Sequence, residues 1–256
     1  MRDGRLLFAP LLAPATEARV GAMSLRGEDR LRLDIGNSVD IVTFPVSGRP
    51  GEAMSAGAEF FTWSSLRQTA NFHFPVDAVD YLFGLTLNYR RPLDTTLSVS
   101  SRFRLSHISA HLVDGSYDKS EGAWRDGAAP RVYSREFAEL TAAIDYRDCL
   151  RVYAGAQYVY HIDPPELLPW MARIGVEASP PIPGIAFLRP YAAYEACLSG
   201  GYAAVGNHSI QAGVKLGKWR GEGVNVFIAW YNGLSQHGEY HDRRWSYWGP
   251  GFTVDF

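Results

Sequence analysis

The sequence predicts a closed antiparallel transmembrane β-barrel of about twelve strands, with both termini periplasmic. Three observations carry this prediction: apolar and polar residues alternate along most of the chain, arginine greatly outnumbers lysine, and short connections alternate with long ones. Alternation is the period of a strand, because successive side chains point to opposite faces.

The pattern predicts strands near 18–26, 30–44, 53–66, 80–90, 93–111, 132–147, 149–161, 170–179, 184–199, 204–217, 222–232 and 243–256. In the fourth, Tyr81, Phe83, Leu85, Leu87 and Tyr89 oppose Thr86, Asn88 and Arg90. In the sixth, Ala138, Leu140, Ala142 and Ile144 oppose Glu139, Thr141 and Asp145. In the seventh, Val152, Ala154, Ala156, Tyr158 and Tyr160 oppose Arg151, Gln157 and His161.

Hydrophobic residues make up 46% of the 256 and charged residues 20%. No apolar run approaches the ~18 residues of a membrane helix; the stretch from Leu6 to Ala15 is broken by Pro10 and Pro14. A membrane barrel has such a composition because only alternate residues meet lipid. A net charge of −2 argues against nucleic acid as a partner.

Of the 25 basic residues only three are lysine, Lys119, Lys215 and Lys218. Arginine suits confined ion pairs, since its planar fork grips carboxylates and is weakly hydrated. The predicted lumen therefore holds ion pairs among Arg102, Arg104, Glu139, Asp145, Arg147, Arg151, Arg173, Glu177, Arg189 and Glu195. Interleaved signs on neighbouring strands would pair and leave the interior mostly filled.

Connections such as Arg90 to Leu93 and Tyr146 to Cys149 are short, whereas 67–79, 112–131, 162–169 and 233–242 are long. Short periplasmic turns opposite long extracellular loops are the outer-membrane pattern, and Tyr81, Tyr89, Tyr146, Tyr160 and Trp248 sit where aromatic girdles belong. The chain reads as one domain over 1–256, with 1–17 a periplasmic N-terminal segment. Met1 is followed by Arg2-Asp3-Gly4-Arg5, which does not read as a signal peptide, so the barrel reading carries the expectation that an export signal has been removed or lost. Cys149 and Cys197 fall at opposite ends of the barrel and are expected to stay unbonded. The seven histidines show no tight ligand spacing, so neither metal nor cofactor is expected.

The final strand, from Tyr247 to Phe256, resembles the C-terminal assembly signal of outer-membrane proteins, with Trp248, Phe252, Val254 and Phe256 on one face. That resemblance implies the barrel assembly machinery as a partner, outer-membrane phospholipid and lipopolysaccharide as surroundings, and the bacterial outer membrane as location. The stretches Leu7-Phe8-Ala9-Pro10-Leu11-Leu12-Ala13, Asp80-Tyr81-Leu82-Phe83-Gly84-Leu85, His107-Ile108-Ser109-Ala110-His111-Leu112, Tyr133-Ser134-Arg135-Glu136-Phe137 and His161-Ile162-Asp163-Pro164 resemble the bacterial family called domain of unknown function 1207. The resemblance implies a fold and a location but no activity.

His107-x-Ser109 resembles the His-x-Ser element of outer-membrane acyl hydrolases, phospholipase A and the lipid A deacylase. Acyl transfer by serine needs an imidazole base beside the hydroxyl and a third group to orient the base. Residues two apart in a strand share a face, and the parity of His107 and Ser109 matches the apolar Phe103 and Leu105. If 112 lies opposite 131, then Glu136 lies opposite His107 and Ser134 opposite Ser109. Two-residue motifs arise often by chance. A noncatalytic barrel with a structural, binding or narrow-transport role therefore stands first, a lipid acyl hydrolase at His107, Ser109 and Glu136 second, and a receptor acting through its loops third.

Overall fold

The computed structural model describes residues 6–69, 71 and 73–256. Its strands are β1 (Val20–Leu25), β2 (Arg30–Pro45), β3 (Ala53–Arg67), β4 (Val76–Pro92), β5 (Leu97–Leu112), β6 (Tyr117–Asp118), β7 (Ala123–Trp124), β8 (Ser134–Tyr146), β9 (Leu150–Asp163), β10 (Trp170–Ala178), β11 (Leu188–Gly200), β12 (Ala204–Gly217), β13 (Gly223–Leu234) and β14 (Arg244–Asp255). Twelve of them form one closed antiparallel barrel, in which β5 pairs with β8 and β1 closes on β14. The pair β6–β7 is a small hairpin inside the loop between β5 and β8. Short helical turns lie at 114–116, 125–127 and 238–240.

Two strands start later than their alternation suggests, and turn chemistry explains both. The Asp94 carboxylate accepts hydrogen bonds from Thr96 N, Thr96 Oγ1 and Leu97 N, so 93–96 folds as a turn and β5 begins at Leu97. The same bonds hold the Asp94 carboxyl below its ordinary pKa. Before β11, Pro180, Pro181 and Pro183 offer no N–H to a ladder, and Gly184 takes positive φ, so the strand waits until Leu188.

The two faces of the wall are inverted relative to a water-soluble barrel. Leu85 is 63% exposed and Leu140 55%, whereas Arg104 and Glu139 are each only 1% exposed. An apolar outer wall around a charged interior suits a hydrocarbon solvent, where backbone groups must pair within the wall. Tyr81, Tyr146, Tyr160 and Trp248 stand exposed on that outer wall.

The interior is filled from both ends. Residues 6–19 fold up inside the barrel, where Glu17 accepts from Arg102 Nη1 at 2.8 Å and Arg104 Nη2 at 2.7 Å. Leu12 N donates to Glu177 at 2.8 Å, Arg151 donates to the Ala9 carbonyl at 3.0 Å, and Phe8 lies between the guanidinium groups of Arg102 and Arg151. This corrects the expectation of a periplasmic segment over 1–17. The charged interior needs a counter-acid, and Glu17 supplies it, so the segment lies within the lumen; residues 1–5 lie outside the described residues. At the end with the long loops, 235–243 folds inward as a cap. Trp63 Nε1 donates to the Gln236 carbonyl at 2.8 Å, and His237 Nδ1 and Gly238 N both donate to Asp80 at 2.7 Å. Arg131 grips Asp242 through both terminal nitrogens at 2.8 and 3.0 Å, which holds the Asp242 carboxyl below its ordinary pKa.

Candidate functional site

The residues expected in the lumen divide into three groups. Arg102, Arg104, Glu139, Asp145, Arg151, Arg173, Glu177 and Glu195 are buried in the interior. There Arg173 reaches Glu139 at 2.9 Å and Glu195 at 3.7 Å, Arg104 reaches Glu59 at 3.3 Å, and Arg151 reaches Asp145 at 2.8 Å and Glu177 at 3.9 Å. Arg189 lies at the rim with the short turns, 3.9 Å from Asp148 and against the Trp219 ring. Arg147 is a correction. It sits in the β8–β9 turn, where Arg147 and Asp148 both take positive φ, and its guanidinium lies over the exposed Tyr146 ring instead of in the lumen. Such primed turns follow the twist of a hairpin but end the face alternation that placed Arg147 inside. Two participants were not expected there: Glu17, and Arg220, which reaches Asp145 at 2.6 Å.

Cys149, in the same turn, and Cys197, beside Arg173 in the interior, are free thiols. Of the proposed assembly residues, Trp248, Phe252 and Phe256 are exposed, on or just beyond the closing strand β14 with Val254.

The other cluster lies on the outer wall near the long-loop end. In the β5–β8 register His107 faces Glu136 and Ser109 faces Ser134, while β4 sets Phe83 beside His107 and Tyr81 beside Ser109. His107 Nδ1 and Glu136 Oε1 are 2.7 Å apart, with each side chain about a quarter exposed. A carboxylate can only accept, so Nδ1 carries a hydrogen, and in the neutral ring Nε2 then holds the lone pair. The His107 ring packs against Phe83, centroids 4.9 Å apart. Ser109 shares the outward face of β5 with His107, but among the described residues its Oγ makes no hydrogen bond to that ring. Cα atoms two residues apart in a strand are about 6.6 Å apart, so contact depends on both rotamers.

A third side chain joins this cluster unannounced by the sequence. His161 Nδ1 donates to the other oxygen of Glu136, Oε2. Strict alternation places His161 with Arg151 and Gln157 on the inner face. The β8–β9 register shifts between Glu136 and Phe137, from Glu136↔His161 to Phe137↔Val159, so Tyr160 is an extra residue. The bulge leaves Tyr160 and His161 both exposed, while Val159 and Ile162 pack inward.

An apolar outer wall, a filled charged interior and unequal loops at the two ends define a transmembrane β-barrel of the outer-membrane type. The chain belongs to the family Protein of unknown function (DUF1207), whose model matches residues 92–256. No curated protein matches it. Among solved structures it is similar to outer membrane phospholipase A from Escherichia coli, with a TM-score of 0.51 at 13% identity over 88% of this chain and 78% of that one. An active-site mutant of the same enzyme gives a TM-score of 0.57 at 11% identity, over 100% of this chain and 94% of that one. The Salmonella typhi outer membrane phospholipase, a dimer with bound calcium, gives 0.54 at 12% identity, over 92% and 89%. At these identities the likeness is one of fold.

Proposed function

We propose that this protein is a serine-dependent lipid acyl hydrolase of the bacterial outer membrane, working from the outer wall of its barrel. The observation that carries the reading is the 2.7 Å contact between His107 Nδ1 and Glu136, on the face that also bears Ser109. With Nδ1–H held by the carboxylate, Nε2 is a base directed away from it, and the mechanism requires Ser109 to rotate so that Oγ meets it. Catalytic hydrogen bonds are often loose before substrate binds. His107 would take the Ser109 proton as Oγ attacks an ester carbonyl, then give it to the departing lipid alcohol. Water would hydrolyse the acyl-enzyme by the same proton route in reverse.

In this reading the long loops are extracellular and the termini periplasmic, so the cluster lies at the outer-leaflet ester linkages. The outward residues of the closing strand, Trp248, Phe252, Val254 and Phe256, are the segment read by the barrel assembly machinery. The shared fold with outer membrane phospholipase A is in keeping with the proposal. The second reading, a noncatalytic structural or binding barrel, is favoured by the missing Ser109–His107 hydrogen bond.

Fatty-acid release from phospholipid in mixed micelles and from lipopolysaccharide separates the two. We expect release by the wild type and a fall of roughly a thousandfold or more in Ser109→Ala. Equal rates in both proteins, or no release from either lipid, would leave the noncatalytic barrel.

A further inference from the structure

We infer that His161 is a positioning residue for this site, fixing the carboxylate of Glu136 so that Glu136 can orient His107. The inference rests on the hydrolase reading and adds to it a residue from a third strand.

The geometry begins with the carboxylate's own freedom. The last torsion of a glutamate side chain has a broad, roughly two-fold profile, so one hydrogen bond leaves the carboxylate plane loosely defined. Glu136 has two. His107 of β5 donates to Oε1 and His161 of β9 donates to Oε2, one from each neighbouring strand. Donors on both oxygens set the plane, and the plane sets the direction in which His107 is held. A carboxylate accepts from both Nδ1–H groups, so the two imidazoles take the same tautomer.

The backbone is built to deliver the second donor. Were the strand regular through Tyr160, alternation would turn His161 toward the interior; the bulge turns it out beside Glu136. Bulges that re-aim a side chain are common beside active sites. Glu136 is also about a quarter exposed at the rim of the wall, where water would compete for a free Oε2. His161 occupies that oxygen with a group fixed to the strand.

His161→Leu and His161→Asn test this, with Ser109→Ala and the wild type as references and phosphatidylcholine in mixed micelles as substrate. Asparagine places an amide N–H close to where the imidazole carries Nδ1–H. We expect His161→Leu to lower kcat by about ten- to a hundredfold with KM unchanged, the scale seen when a reacting group is misplaced without loss of binding. We expect His161→Asn to restore most of that loss. The heat-dependent electrophoretic mobility of the folded barrel should be the same in all four proteins. Wild-type kcat in His161→Leu while Ser109→Ala is inactive would overturn the positioning role and leave the hydrolase standing. Equal losses in the leucine and asparagine variants would also overturn it. A wild type no more active than Ser109→Ala would remove the hydrolase reading and the role of His161 with it.

Discussion

Glu136 and Glu139 are three residues apart on β8, on opposite faces of the same wall, and their surroundings differ completely. Glu139 is buried, 2.9 Å from Arg173, 3.8 Å from Arg104 and 3.9 Å from Arg102. Glu136 is partly exposed and meets two imidazoles. Guanidinium groups keep their proton at any physiological pH, so Glu139 is locked into a permanent ion-pair lattice. An imidazole can hold a hydrogen on one ring nitrogen and a lone pair on the other, so the contacts of Glu136 can take part in proton transfer. One residue type, on one strand, serves as scaffold or as part of a reacting group according to the basic side chains the neighbouring strands supply.

The largest expected effects come from exchanging these two carboxylates one at a time. Glu136→Gln should lower acyl release roughly a hundredfold or more, because the negative charge and one of its two acceptor oxygens are lost, and leave the urea unfolding midpoint unchanged. Glu139→Gln should do the reverse, costing about 3–5 kcal/mol through arginines left unpaired, with turnover retained by whatever protein stays folded. A Glu136 variant that unfolds early while keeping its activity would break the contrast.

A smaller effect sharpens the lumen side. The full chain should be electrically silent in planar bilayers, since residues 6–19 and the 235–243 cap fill the interior. A chain lacking residues 1–18, Glu17 among them, should pass ions in discrete steps, with anions preferred because Arg102, Arg104 and Arg151 would line the vacated space. A silent truncated protein would assign closure to the cap alone. The smallest effect belongs to Arg147. Its exposed position predicts that Arg147→Ala shifts unfolding by no more than about 0.5 kcal/mol, as measured by urea titration. A loss of several kcal/mol would place it in the ion-pair lattice after all.

Most of the wall was legible because period-2 alternation is a direct consequence of strand geometry, and the twelve predicted segments correspond to the twelve barrel strands. The β5–β8 register was legible too: setting 112 opposite 131 brings Glu136 to His107, the pairing the structure contains. Illegible features were those where alternation fails or the chain leaves the sheet. One extra residue at Tyr160 reverses the face of His161, and nothing in the local composition marks it. Two positive-φ residues in the β8–β9 turn carry Arg147 out of the interior. Residues 6–19 carry apolar residues and prolines without strand periodicity, and their place depends on Glu17 meeting arginines 85 and 87 positions later in the chain.

That last distance bears on how the molecule is put together. A closed barrel has no free edge, and the seam between β1 and β14 joins the two extremes of the chain. The segment inside the wall precedes β1, so it must already lie within the curling sheet when the seam zips, or be threaded afterwards through the end with the short turns. Contacts of such long sequence separation form slowly because loop-closure entropy is lost before they form. Laying the segment first would let Glu17 gather Arg102 and Arg104 while the sheet is still open. It would then act as a template on which the lumen forms, and the repulsion among arginines that opposes closure would already be relieved.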